Sequence, residues 1–252
     1  MAPSSVAPAA APARQYTPVA VLGIWLAAAL PMGVLAWIVV PAVAGPDASP
    51  GRFAVCLIAA LTAGLIWQGV LVLILVAGEG NGNIRAALLL QPPTDGQGRR
   101  GGRLWLWLVP FMVAFVVVVQ FFPFDLPGPV SHSFGPFLDS ADGRDLLRGN
   151  WPLFVLIVTM FVFNTVLGEE LLLRGLLLPR MRTAFGRWDW VVNGLLGGLY
   201  HLHQPWSIPS SIINHSLFAY ASRRWQSTWM GIAIHSTQSV FFAVLILVLV
   251  LR

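Results

Sequence analysis

Two of the three glutamates in this 252-residue chain, Glu169 and Glu170, are neighbours inside an otherwise apolar run from Phe161 to Leu178. Ionised side chains are costly in such a run and usually mark a functional site. Arg174 follows Glu170 by four residues, so on a helix the two share a face in the favourable acid-before-base order. Glu169 is turned about 100° away on a regular helix and lacks a local counter-charge. A desolvated carboxylate of this kind is a candidate to take up and return protons. The plainer alternative is that the three charges only cap a helix end or tie two helices together.

Histidines follow in later apolar stretches: His201 with His203, then His215 and His235. A lone imidazole in a membrane is more often an interhelical hydrogen bond than a catalyst, so depth has to sort them. At 1.5 Å per residue, Glu169 lies about 16 Å from Arg180, His201 about 21 Å from Arg187 and His235 about 16 Å from Arg224. A carboxylate and two imidazoles thus reach a similar level. His203 would face about 200° from His201 on a regular helix, so only one of them can point into a shared site. His215 comes out about 12 Å deep, which makes it a candidate by position alone, and a structural role with Asn214 is favoured. Gln238 and Ser239 lie three and four residues beyond His235 and share its face. Gly194, Gly197 and Gly198 form a small-residue face for close helix packing near His201. Together these residues could move protons and donate hydrogen bonds within an apolar surrounding.

The elements that position them are membrane helices. With 57% hydrophobic and 10% charged residues, the chain cannot hide its apolar surface in one water-facing core, and the bilayer must serve as solvent. Seven stretches of helix-spanning length or near it fall at about 17–43, 53–77, 104–122, 151–178, 189–204, 207–222 and 227–251. The fold expected is all-α, a polytopic transmembrane helix bundle of about seven spans. The fifth and sixth are short and polar enough to need neighbouring helices around them. Residues 1–15 form an Ala-, Pro- and Ser-rich tail without hydrophobic period, 16–125 hold three helices without motifs, 126–150 an extracytoplasmic loop, and 151–252 the catalytic core. Asn150-Trp151-Pro152 opens that core with a helix cap. His132, flanked by serines, is read as a solvated loop residue.

All fifteen basic residues are arginines, mostly at segment ends. Topology explains them better than nucleic acid, which is not expected as a partner. With the amino terminus cytoplasmic, only Arg52, Arg144, Arg148 and Arg252 fall outside, as the positive-inside rule prefers. The chain is therefore expected to be a multi-pass protein of the cell membrane. The absence of Lys removes P-loop phosphate binding, Schiff-base chemistry and a Ser-Lys dyad. Cys56, the single cysteine, is read as a small apolar residue. Ala42-Val43-Ala44 looks like a signal-peptidase site, but the apolar stretch before it is long, and a retained span is expected.

Read in order, the residues make a pattern. Glu169-Glu170-Leu171-Leu172-Leu173-Arg174-Gly175 resembles the EExxxRG signature of the CAAX prenyl protease and bacteriocin-processing family. Gly198-Leu199-Tyr200-His201 is similar to its second motif, and His235 to Ser239 to its third. The resemblance covers about residues 150–240 and departs twice: Gly197 stands where the family usually has Phe, and Ser239 where it usually has Asn. It implies an endopeptidase cutting near the cytoplasmic half of the membrane. Glu169 would activate a water that His201 helps to hold, His235 with Ser239 would stabilise the oxyanion, and Glu170 with Arg174 would orient the helix. The expected partners are a membrane-associated peptide or protein substrate and the lipid bilayer.

HExxH and Gly-x-Ser-x-Gly are absent, so neither the usual zinc helix nor a serine elbow is present. If a divalent metal such as zinc is bound, Glu169, His201 and His235 would hold it with a water; the sequence leaves the choice open and no cofactor is certain. Two other classes compete with the peptidase. A proton-coupled transporter should show repeated halves with polar breaks, and the first half has none. A non-catalytic protein of the same fold, binding a membrane partner as an immunity or scaffold factor, stays in contention through Ser239.

Overall fold

The computed structural model describes residues 14–80, 82–121 and 124–252. The tail expected over 1–15 lies outside the described residues as far as 13. Seven principal helices follow: α1 Pro18–Ala44, α2 Pro50–Gly78, α3 Leu108–Phe121, α4 Trp151–Arg180, α5 Asp189–Leu199, α6 Ile208–Arg224 and α7 Thr228–Leu251. No strand occurs among the described residues. The protein is a multi-pass, all-α membrane bundle. Five segments are long and apolar enough to cross a bilayer: α1, α2, Gly102–Val119, α4 and α7. The remaining two expected stretches, α5 and α6, run 11 and 17 residues.

Local sequence sets the helix ends. Asn150 caps α4 by accepting from the Leu153 amide at 3.1 Å, with Pro152 in the first turn where its missing N–H costs nothing. Ser49 and Pro50 open α2 in the same way. The α5–α6 pair packs as a hairpin because three glycines remove the side chains that would hold it apart. Gly194 faces Ser216, Gly198 faces Ile212, and a Cβ at Gly197 would come within 2.5 Å of His215 Nδ1. This is the small-residue face read from the sequence, here used against α6.

The two ends of the bundle differ. At the arginine-rich end, Arg180 is wholly buried and binds both Glu79 oxygens, at 2.8 and 2.6 Å, while Tyr16 donates to Glu79 Oε1 at 2.6 Å. Burial alone would raise the Glu79 pKa, but the bonds from Arg180 and Tyr16 outweigh it and hold the carboxylate below its usual range. The connector after α2 folds under this end: Thr94 N donates to Trp225 O at 2.7 Å and Thr228 Oγ1 to Leu88 O at 2.6 Å. At the opposite end, short helices Phe134–Asp139 and Ala141–Leu147 pack Leu138 and Leu147 against Ile157 and Val250.

The structure corrects the solvated reading of His132. Its side chain is 6% exposed, stacked on Trp37 with centroids 4.3 Å apart and edged by Phe53. Gln204 Nε2 donates to its backbone carbonyl at 2.6 Å, tying the loop to the α5–α6 turn. Burial holds the His132 imidazole below its usual pKa. Serine neighbours in sequence did not predict aromatic neighbours in space.

Candidate active site

α4 is not the regular helix that the phase argument assumed. It winds as π-helix over Phe163–Leu167 and again over Leu171–Leu177, with Gly168 between. Such bulges are rare and frequent at functional sites. Gly168 is required there: a Cβ would lie 2.7 Å from both Leu65 O and Phe163 O. The break sets Glu169 and Glu170 at the centre of the bundle, 1% and 0% exposed.

Each carboxylate meets a different histidine. Glu170 Oε1 accepts from His235 Nδ1 at 3.1 Å and its Oε2 faces Arg174 Nε at 3.4 Å, so the i,i+4 partnership holds. Glu169 Oε1 lies 3.1 Å from His215 Nε2, close but without hydrogen-bond alignment. Arg174 Nη2 reaches the other side of that ring, 2.8 Å from Nδ1 and 3.0 Å from the His215 carbonyl. His201 approaches within ligand distance of Glu169 and His215, its Nδ1 on the Gly197 carbonyl at 3.2 Å. His235 stacks on Phe218, over which the Arg174 guanidinium also sits.

These partners fix where protons sit. A guanidinium only donates, so His215 Nδ1 accepts and the neutral ring carries its proton on Nε2, pointing at Glu169. A carbonyl only accepts, so His201 Nδ1 is protonated and its Nε2 keeps a lone pair for a water. A carboxylate accepts, so His235 donates from Nδ1 to Glu170.

Acidic and histidine groups are close enough to hold a metal ion in two sets, Glu169-His201-His215 and Glu169-Glu170-His235, each with ligand atoms within 4.8 Å. They divide the expected ligands His201 and His235 between them. In the first set the proton on His215 Nε2 faces Glu169, where a metal needs a lone pair. In the second, Glu170 is taken by His235 and Arg174. The residues as arranged do not fit a metal, and no step below is routed through one.

From the histidines a cavity of about 370 Å³ runs to the loop after α3, a volume within the range of small-ligand pockets. His201, His235, Gln238 and Ser239 line its inner part, and Asp125, Ser131 and Ser210 lie further out. Glu169 lies just behind the histidines. Ser239 is 9% exposed and lines this cavity together with His235. His203 lines the same cavity, its ring 5.3 Å from that of His201. The expected separation of these rings does not occur because α5 ends at Leu199, and 201–204 turn ahead of Pro205.

The site thus brings together Glu169 from α4, His201 from the turn after α5 and His235 from α7, with Glu170 and Arg174 behind. Residues 150–241 match the type II CAAX prenyl endopeptidase Rce1-like family. The match supports the resemblance drawn from the three motifs, and at the level of the family it supports a CAAX-type intramembrane protease. No curated protein and no solved structure matches the chain. The Rce1-like segment contains all the clustered site residues. His215 lies in it too; its depth makes it a candidate in the sequence, where a structural role is favoured, and it faces Gly197.

Proposed function

We propose that the protein is a glutamate-type intramembrane endopeptidase of the cell membrane, amino terminus cytoplasmic, acting on a membrane-associated peptide or protein. The observation that carries the reading is that Glu169 lies close to His201 in one group and to His235 in another, behind a cavity that both histidines line, within a segment that matches a peptidase family. A water held between the Glu169 carboxylate and His201 Nε2 gives its proton to Glu169 and attacks the scissile carbonyl carbon. The carbonyl oxygen becomes an oxyanion, to which His235 donates from Nε2 when it carries both protons, assisted by Ser239 or Gln238. Glu169 then passes its proton to the leaving amine as the C–N bond breaks.

The buried cluster holds two carboxylates and one guanidinium, with His235 against the Glu170 carboxylate at 3.1 Å. Glu170 and Arg174 hold His235 and His215 in place without touching the substrate. Comparison of new protein termini in membranes from wild type and Glu169→Gln tests the reading: cleavages present only in wild type support it, and identical termini sink it. Ser239 in place of Asn keeps one second reading in view, a partner-binding protein of the same fold, and identical termini would favour that reading.

A further inference from the structure

The route into the site is set by which end of the bundle is closed. Between Glu169 and the arginine-rich end lie Glu170, Arg174, Leu172, Leu176, Ser222 and Met230, none more than 3% exposed. Beneath them the connector makes a floor: Leu88 is fully buried and packs on Gly175, Arg180 binds the Ala87 carbonyl at 3.1 Å, and Ser227 donates to Gln91 O at 2.5 Å. In the other direction the cavity passes His201 and Ser239 and reaches the exposed Asp125 and Ser131 of the loop after α3. The site is deep from the arginine side and open from the opposite one.

We propose that substrate reaches Glu169 from the face that carries the 124–150 loop, the extracytoplasmic face by the arginine asymmetry, and that the occupant is an extended, uncharged or cationic stretch of a membrane-anchored polypeptide. This rests on the proteolytic reading for the purpose of the chamber, but not for its direction. Its chemistry follows from the lining. One wall is apolar, with Leu57, Leu61 and Met160; the other carries Gln204, Ser207 and Asn214. The Oδ1 of Asn214 and the Nδ1 of His203 are buried with no hydrogen-bond partner among the described residues, as suits walls that bond to the main chain of a guest. Among the described residues Asp125 is the only acidic side chain of the lining and no arginine joins it, so an anionic headgroup or a phosphorylated tail is disfavoured at the mouth. The cut then falls near the expected depth while the way in is from the other side.

Thiol labelling tests the route without needing catalysis. In a Cys56→Ala background, Ser239→Cys reports on the inner chamber and Gln97→Cys, on the exposed connector, reports on the arginine side. A membrane-impermeant cationic methanethiosulfonate added to intact cells should label Ser239→Cys and spare Gln97→Cys; inverted vesicles should reverse the pattern. The cationic reagent should react several-fold faster than an anionic one, and Asp125→Asn should reduce that ratio. Labelling of both cysteines from the same side, or of Ser239→Cys from neither, overturns the route; a ratio indifferent to Asp125→Asn overturns the charge preference. None of these outcomes depends on cleavage, so loss of the peptidase reading and loss of the route are told apart.

Discussion

His215 gives the sharpest test of how the base is held. It loses two things in His215→Ala: an acceptor 2.8 Å from the buried Arg174 guanidinium, and a ring nitrogen that stands 3.1 Å from Glu169 Oε1 without being aligned to it. A hydrogen bond to a charged group is worth about 1.5–3 kcal/mol, which at 1.36 kcal/mol per decade is about 10- to 150-fold in rate if it is felt in the transition state. Gln offers an oxygen that accepts from Arg174 and an amide that donates to Glu169, the same polarity as the Nε2-protonated ring. His215→Gln should therefore retain activity within about tenfold of wild type, while His215→Ala falls through the larger range. The assay is the rate of appearance of Glu169-dependent termini at matched membrane levels, repeated across pH. A positioning residue leaves the shape of the pH profile unchanged in His215→Gln, since Gln does not titrate. Equal loss in the two variants, or full activity in His215→Ala, refutes the assignment.

Glu169→Gln should abolish cleavage with expression intact, whereas Glu170→Gln and Arg174→Gln should lower the amount of folded protein, since breaking a buried pair costs about 3–5 kcal/mol; immunoblots of membrane fractions separate the two effects. Cleavage should survive chelation and dialysis, and activity lost on chelation and restored by zinc would refute the metal-free reading. Ser239→Ala should lose less than the roughly 100-fold typical of an oxyanion donor, His235→Ala nearly everything, and Ser239→Asn nothing, all measured as cleavage rates. Because its pairing with Arg180 holds the Glu79 pKa below the unfolded value, that pair stabilises the fold above the ordinary glutamate range and the contribution is lost as pH falls through the folded value. Melting temperature in detergent should fall over that window in wild type and show less pH dependence in Glu79→Gln.

What could be read from the sequence is what depends on local spacing. Glu170 and Arg174 meet because they are four residues apart, the Asn150 cap forms because its partner is three residues on, and the common depth of Glu169, His201 and His235 follows from rise per residue. What could not be read depends on where a helix stops being regular. The π-wound segments around Gly168 and the end of α5 at Leu199 change the phase of every side chain beyond them, and that is how His203 came to share a cavity with His201. The burial of His132 was hidden for another reason: Trp37, Phe53 and Trp206, which enclose it, lie far from it in sequence.

The two surprises at the site reduce to one. Position 197 carries Gly where the resemblance leads one to expect Phe, and His215 lies at the centre although no motif names it. A Cβ on residue 197 would approach the His215 ring to 2.5 Å, so a phenyl group there and this imidazole cannot occupy the same site. The missing aromatic ring therefore does not leave a hole. Its place is taken by a ring from α6 that stands beside Glu169 and accepts from Arg174. Gly197 is what admits a further polar side chain beside the carboxylate, and any loss of positioning through Ser239 is to be weighed against that gain on the Glu169 side.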